Sequence, residues 1–126
     1  VDFVGYAGGA RKAALWSLAD VYVFPSRHES YGLTLAEALR AGRPVITTQH
    51  YSAGRLVPPE AGIVVPNAPE AAVAPALWRA LRAVAIDPAR RARMAAAAER
   101  VGRSLDFASA AARVADIVIR SACADA

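Results

Sequence analysis

The chain has 126 residues, the usual size of one domain, and its 56% hydrophobic content is swollen by alanine, which signals helices with small packing faces. No apolar run reaches the ~18 residues of a bilayer crossing, and no basic segment leads into an apolar core at the N-terminus, so a soluble protein is predicted. Net charge is +4, with Lys12 the only lysine, which leans towards an anionic partner; the single cysteine, Cys123, leaves no internal disulfide or cysteine-based metal site and suits a reducing cytoplasm.

Strand-like and helix-like segments alternate, the pattern of βαβ units with a parallel sheet between helices. Residues 1–5 (VDFVG) read as a first strand, and a helix follows over about 10–18, where Ala14, Leu15 and Leu18 give an apolar stripe. Residues 20–26 (DVYVFPS) form the second strand, stopped by Pro25, which cannot donate to a ladder. A helix over 33–40 is closed by Gly42, and RPVITTQ (43–49) is a third strand, β-branched at its centre and buried on both faces. GIVVP (62–66) is the fourth.

Beyond residue 66 strands cease and alanine-rich helices take over. Val73, Leu77, Leu81 and Val84 mark one face of a helix that opens at Pro69 or at Pro75. Asp87 before Pro88 caps a helix to about Arg103, and Asp106 caps a last one bearing Phe107, Ala111, Val114, Ile117 and Val118. Trp16 and Trp78 are expected in core or groove packing. Arg90, Arg91 and Arg93 cluster without interleaved aromatics, which reads as a solvated helix face and argues against a nucleic-acid partner. The start at Val1, already inside a strand pattern, suggests a piece of a longer protein.

The chemistry concentrates in residues 24–39, FPSRHESYGLTLAEAL. They fall at the carboxyl end of a strand and the start of the next helix, where an open parallel sheet collects its ligands. The free N–H groups of roughly Gly32, Leu33 and Thr34, with the positive end of the helix dipole behind them, make an anion site, and Gly32 permits close backbone approach. Glu29 in the loop and Glu37 about one turn inside the helix would flank those amides. Acceptors on both sides of an anion site suit hydroxyl groups on both sides of a diphosphate, the layout of a nucleotide sugar. As bland alternatives, Glu29 is an ordinary loop carboxylate, Glu37 an exposed helix residue, and Tyr31 packs over the strand ends. His28 reads as a loop residue, and His50 has no metal partner at useful spacing.

The E-x7-E spacing inside PSRHESYGLTLAEAL, followed by AGRPVIT and AGIVVP, resembles the C-terminal, donor-binding domain of the family 4 retaining glycosyltransferases of the GT-B fold, over nearly the whole chain. The resemblance implies an α/β, Rossmann-like three-layer domain, a parallel sheet flanked by helices with a helical C-terminal part. It implies that residues 1–126 are one partial domain, whose first strands and N-terminal acceptor domain are absent. Glu29 would be the catalytic-site carboxylate that holds hydroxyls of the donor sugar, and Glu37 would hydrogen-bond the ribose. Ser30, Tyr31, Gly32, Leu33 and Thr34 would meet the diphosphate and sugar, and Gly5 and Tyr6 the nucleobase.

The reaction implied is transfer of a glycosyl group from a nucleoside diphosphate sugar to an acceptor hydroxyl, with retention. The donor is a substrate and no cofactor is needed. No Asp-x-Asp occurs, so metal-independent catalysis is expected. The acceptor, a glycan, lipid or small molecule, would bind the missing domain, and peripheral membrane association of the full-length protein is compatible with this. The family's diphosphate-binding Arg and Lys would lie upstream, Arg11 and Lys12 reading as helix surface, so the isolated chain is expected to fold without turning over donor. A GT-B epimerase or phosphorylase and a non-catalytic nucleotide-binding module are the competing readings. The phosphorylase is disfavoured because Lys12 is poorly placed as a cofactor lysine.

Overall fold

The computed structural model describes residues 1–67, 69–105, 111–112, 114–117 and 120. Helix α1 (Gly9–Leu18) leads into strand β1 (Tyr22–Phe24), helix α2 (Leu33–Arg40), strand β2 (Val45–Thr48), a short helix α3 (Tyr51–Leu56) and strand β3 (Gly62–Val65). Two long helices follow, α4 (Glu70–Ala85) and α5 (Pro88–Ser104). The strands pair in parallel in the order β1-β2-β3, with Tyr22 opposite Val45 and Val45 opposite Gly62.

Every residue of β2 is buried, as its apolar, β-branched sequence predicts for a central parallel strand. Alternation sends its side chains to opposite faces. Val45 joins Leu35, Ala38, Leu39, Val57, Ala61, Ala97 and Ala98 on one side, while Ile46 joins Val65, Ala80, Val84 and Met94 on the other. Helices therefore cover both faces, the three-layer arrangement that the sequence predicted. The stripe Val73, Leu77, Leu81 and Val84 lies on α4 as expected, and its last three members pack into the second cluster.

The helix boundaries are chemical. At the end of α2, the Gly42 N–H donates to the Leu39 carbonyl and the Arg43 N–H to the Ala38 carbonyl, both at 2.9 Å. This double closure needs a left-handed residue, and Gly42 has φ +67°. Asp87 accepts from the Arg90 N–H at 2.8 Å and Pro88 opens α5. Pro69 caps α4, and the helix runs through Pro75 without the bond that residue 75 would otherwise give to the Ala71 carbonyl.

Four expectations need correction. Residues 1–5 are not a strand: Gly5 turns the chain with φ +65°, and the Arg11 guanidinium donates to the Val4 carbonyl at 2.7 Å and the Tyr6 carbonyl at 3.4 Å, claiming groups that a ladder would use. Arg11 is thus a latch rather than bare helix surface. Trp78 is exposed on α4, because it sits off the buried stripe, whereas Trp16 is half-buried edge-on against Tyr22 with ring centroids 5.0 Å apart. Residues 51–56, assigned to no element between the third and fourth predicted strands, form α3. Asp106, Phe107, Val118 and Cys123 lie outside the described residues.

Candidate functional site

Pro25 ends β1, and the loop to α2 is fixed by the strand beside it. The Thr48 hydroxyl donates to the Ser26 carbonyl, the Ser26 hydroxyl to the His28 carbonyl at 3.1 Å, and the Ser52 hydroxyl to the Glu29 carbonyl at 3.3 Å. Gly32 then caps α2 with φ +70°. A Cβ there would stand 2.9 Å from Ser52 Oγ and 3.0 Å from Leu35 Cδ1, so the position is closed to a side chain by conformation and by space.

Glu29 folds back on its own loop. Its Oε1 accepts from the Tyr31 and Gly32 amides, each at 3.0 Å, and the Gly32 bond, then the Tyr31 bond, hold its carboxyl below the usual range. Those two amides, expected to be open to a diphosphate, are therefore engaged by a carboxylate two and three residues away that already meets the positive end of α2. The N–H groups of Leu33, Thr34 and Leu35 in the first turn have no helical carbonyl within reach, since the ladder opens with the Ala36 N–H on the Gly32 carbonyl at 3.0 Å.

Glu37 reaches across to α1, where Lys12 Nζ meets its Oε1 at 2.7 Å. Its Oε2 is buried and, among the described residues, has no hydrogen-bond partner. Both carboxylates act on one phenol: burial pushes the Tyr22 hydroxyl above its ordinary pKa, the Thr34 hydroxyl partly offsets this, and Glu37 and Glu29 both add to the rise. Tyr22 thus lies against Thr34 of α2, with Glu37 in the next turn of that helix and Glu29 in the loop before it. Tyr31 and Leu33 are exposed, and Tyr6 is exposed in the latched loop before α1.

Two recesses lie near this helix; of the predicted site residues only Glu37 lines the first, and none of residues 29–34 lines either. One of about 570 Å³ runs between α1 and α2, with Lys12, Trp16, Glu37, Arg40 and Arg43 in its walls. The other, about 440 Å³, lies beyond the carboxyl ends of the strands, with Pro25, Arg27, His28, Thr48 and Asn67 facing Val73 and Leu77 of α4. The crevice that parallel topology predicts is present there. Among the described residues no three His, Cys, Asp or Glu side chains converge as a metal site would require. No described helix is long and apolar enough to cross a membrane.

Sequence reasoning missed the support beneath the loop. His50 caps α3 by accepting from the Ala53 N–H at 3.2 Å through Nδ1, which assigns the ring proton to Nε2, 3.1 Å from the Thr47 hydroxyl. The Thr47 hydroxyl in turn donates to the Phe24 carbonyl at 2.7 Å, and Ser52 Oγ lies 2.9 Å from Nδ1. Burial holds the His50 pKa below its ordinary value, and Glu29 opposes this weakly. Nothing local in HYSAG announces the arrangement, because the groups it holds through Thr47 and Ser52 are the Phe24 and Glu29 carbonyls, from β1 and the loop after it. The Lys12–Glu37 pair was likewise invisible, since it joins positions 25 apart.

The sequence model described as "Glycosyl transferases group 1" matches residues 1–83. The phosphatidyl-myo-inositol mannosyltransferase of Mycobacterium leprae is 39% identical over 105 residues, covering 82% of this chain and 27% of that protein. A GDP-mannose-dependent alpha-(1-6)-phosphatidylinositol dimannoside mannosyltransferase of Mycobacterium tuberculosis is 29% identical over 97 residues, 76% of this chain and 24% of that one. Among solved structures, sucrose-phosphate synthase from Thermosynechococcus elongatus superposes with TM-score 0.72 and 29% identity, over 90% of this chain and 28% of that chain. The chain thus spans about a quarter of the length of the proteins it matches. The matched profile, the parallel sheet between helices and the GT-B neighbours agree: this chain belongs to the group 1 glycosyl transferases.

Proposed function

We propose that the chain is the donor-binding part of a longer, retaining glycosyltransferase that uses a nucleoside diphosphate sugar. The observation that carries this reading is the junction at the start of α2, where Gly32 caps the helix with φ +70°, Glu29 Oε1 takes the Tyr31 and Gly32 amides, and Glu37 of the same helix reaches α1. Glu37 accepts from the ribose. The Leu33 and Thr34 amides meet the diphosphate, with Ser30, Tyr31 and Gly32 shaping its approach. Glu29, held by Oε1 to its own loop, turns Oε2 to the sugar hydroxyls beside the reacting carbon. Gly5 and Tyr6 border the nucleobase.

As the glycosyl bond to the diphosphate breaks, negative charge grows on the departing oxygens, and amides already aimed there stabilise it without reorganising. The acceptor hydroxyl gives its oxygen to the anomeric carbon on the face that the diphosphate leaves, and its proton passes to the leaving group. No divalent cation is required in this scheme. The acceptor is bound by another part of the enzyme; the M. leprae relative, named for phosphatidyl-myo-inositol, supports a lipid or polyol acceptor. The M. tuberculosis relative, named as GDP-mannose-dependent, supports a nucleotide-sugar donor.

The test is a calorimetric screen of the full-length protein against a panel of nucleotide sugars, repeated with Glu37→Ala. Loss of the ribose contact should weaken each bound donor by about 1–3 kcal/mol, the cost of leaving a buried polar group unpaired. Unchanged affinity for every donor overturns the reading.

A further inference from the structure

We infer that the protein carries a second anion site, at the opposite end of the sheet from the crevice beyond the strand carboxyl ends, which takes the phosphate group of a small ligand or of a lipid head group. Helix α5 presents Arg90, Arg93 and Arg100 to a recess of about 450 Å³ that is lined also by buried Met94 and, from the segment before β3, by Pro59 and Glu60. That segment leads into the first residue of β3, Gly62, so the recess lies at the amino end of a parallel sheet. None of the residues assigned to the donor lines it.

The sequence made the arginines of this stretch a solvated helix face, and the fold divides them. Arg91 donates to the Val84 and Ala85 carbonyls and lies 3.6 Å from Asp20, and Arg103 pairs with Glu99 one turn back. Arg100 gives one N–H to the Ala96 carbonyl at 3.3 Å. The guanidinium groups of Arg90 and Arg93 have no partner among the described residues, and Glu60, the one acid in the recess, pairs with neither. Positions three apart are neighbours on a helix, so Arg90 and Arg93 repel each other and folding gains nothing from their proximity. Arg90 is also half-buried, which strips its charge of part of its water. An anion between them relieves both. Phosphate suits the pair best, because each planar guanidinium fork meets two oxygens at once and a phosphate has oxygens for both forks. Arg100 stands seven residues beyond Arg93, about 10 Å along the helix, so it meets another part of the ligand or a neighbouring head group.

Two probes test the site in the full-length protein: inorganic phosphate by calorimetry at constant ionic strength, and flotation with phosphatidylcholine vesicles made with or without phosphatidic acid. Each is repeated with the double variant Arg90→Gln/Arg93→Gln. Phosphate bound at the donor amides is the same in both proteins, so the difference reports the recess. The double variant should bind phosphate about tenfold more weakly, and Arg93→Lys, which keeps the charge without the fork, about threefold more weakly. Without phosphate the double variant should melt at the wild-type temperature or above it, since a repulsion has been removed, and its affinity for nucleotide sugars should be unchanged. A response to phosphatidic acid vesicles that the double variant loses assigns a lipid head group; a lost response to inorganic phosphate alone assigns a free phosphorylated ligand. If the double variant loses neither response, whether because wild type shows none or because both survive, the site is overturned.

Discussion

Gly32 and His50 show what single residues do here. Gly32 has φ +70° and no room for a Cβ against Ser52 and Leu35. Gly32→Ala should lose about 1–2 kcal/mol from the left-handed conformation alone, more from overlap, read as a lower urea midpoint together with lost donor binding. His50 makes a different prediction. Burial depresses its pKa in the fold, so between that value and the unfolded value of about 6.5 the unfolded chain binds more protons. The stability that His50 contributes is whole above pH ~6.5 and is lost as pH falls through the folded pKa. Melting temperature should therefore step down on acidification through this window, and His50→Asn, which can still cap α3, should remove the step. The sequence displayed Gly32 plainly, since a glycine between a loop and an apolar helix has few other uses. His50 was opaque because its meaning comes from the Phe24 and Glu29 carbonyls, which its neighbours Thr47 and Ser52 hold.

At the scale of elements, α2 is held where the site needs it by α5. A Cβ at Gly102 would fall 2.5 Å from the Arg40 Cα and nitrogen and from the Leu39 carbonyl carbon, all backbone atoms. Gly102→Ala should force the two helices apart and destabilise by about 1–3 kcal/mol, measured by urea unfolding. Because α2 carries the first-turn amides and Glu37, donor affinity should fall in folded protein as well. Periodicity made α2, α4 and α5 legible, and β-branching made β2 legible, since both patterns report burial against neighbours that every such fold supplies. The first five residues misled for the same reason: apolar alternation promises a strand, but a strand exists only when a partner accepts its hydrogen bonds. The six residues of α3 were too few to show a period.

At the scale of the molecule, two apolar clusters on opposite faces of a three-stranded sheet meet through one buried strand, β2. Leu35→Ala on one face and Val84→Ala on the other, both fully buried, should each cost about 2–5 kcal/mol and lower a single unfolding transition, visible by calorimetry. Two separate transitions would show that the faces fold independently. The overall layering was readable because alternating strands and helices leave few arrangements open. Relative placement of the side chains that meet across layers was not, and the pairing of α1 with α2 is the clearest case. Arg11 grips the loop before α1, and its neighbour Lys12 grips α2, so consecutive residues clamp two separate parts of the ligand-facing surface. Helix α1 is thereby a lever with both arms loaded. Adding one residue between Lys12 and Trp16, which packs on Tyr22, would swing Lys12 through about 100° and unfasten it from Glu37, which ties the width of the recess between α1 and α2 to the spelling of a single helical turn.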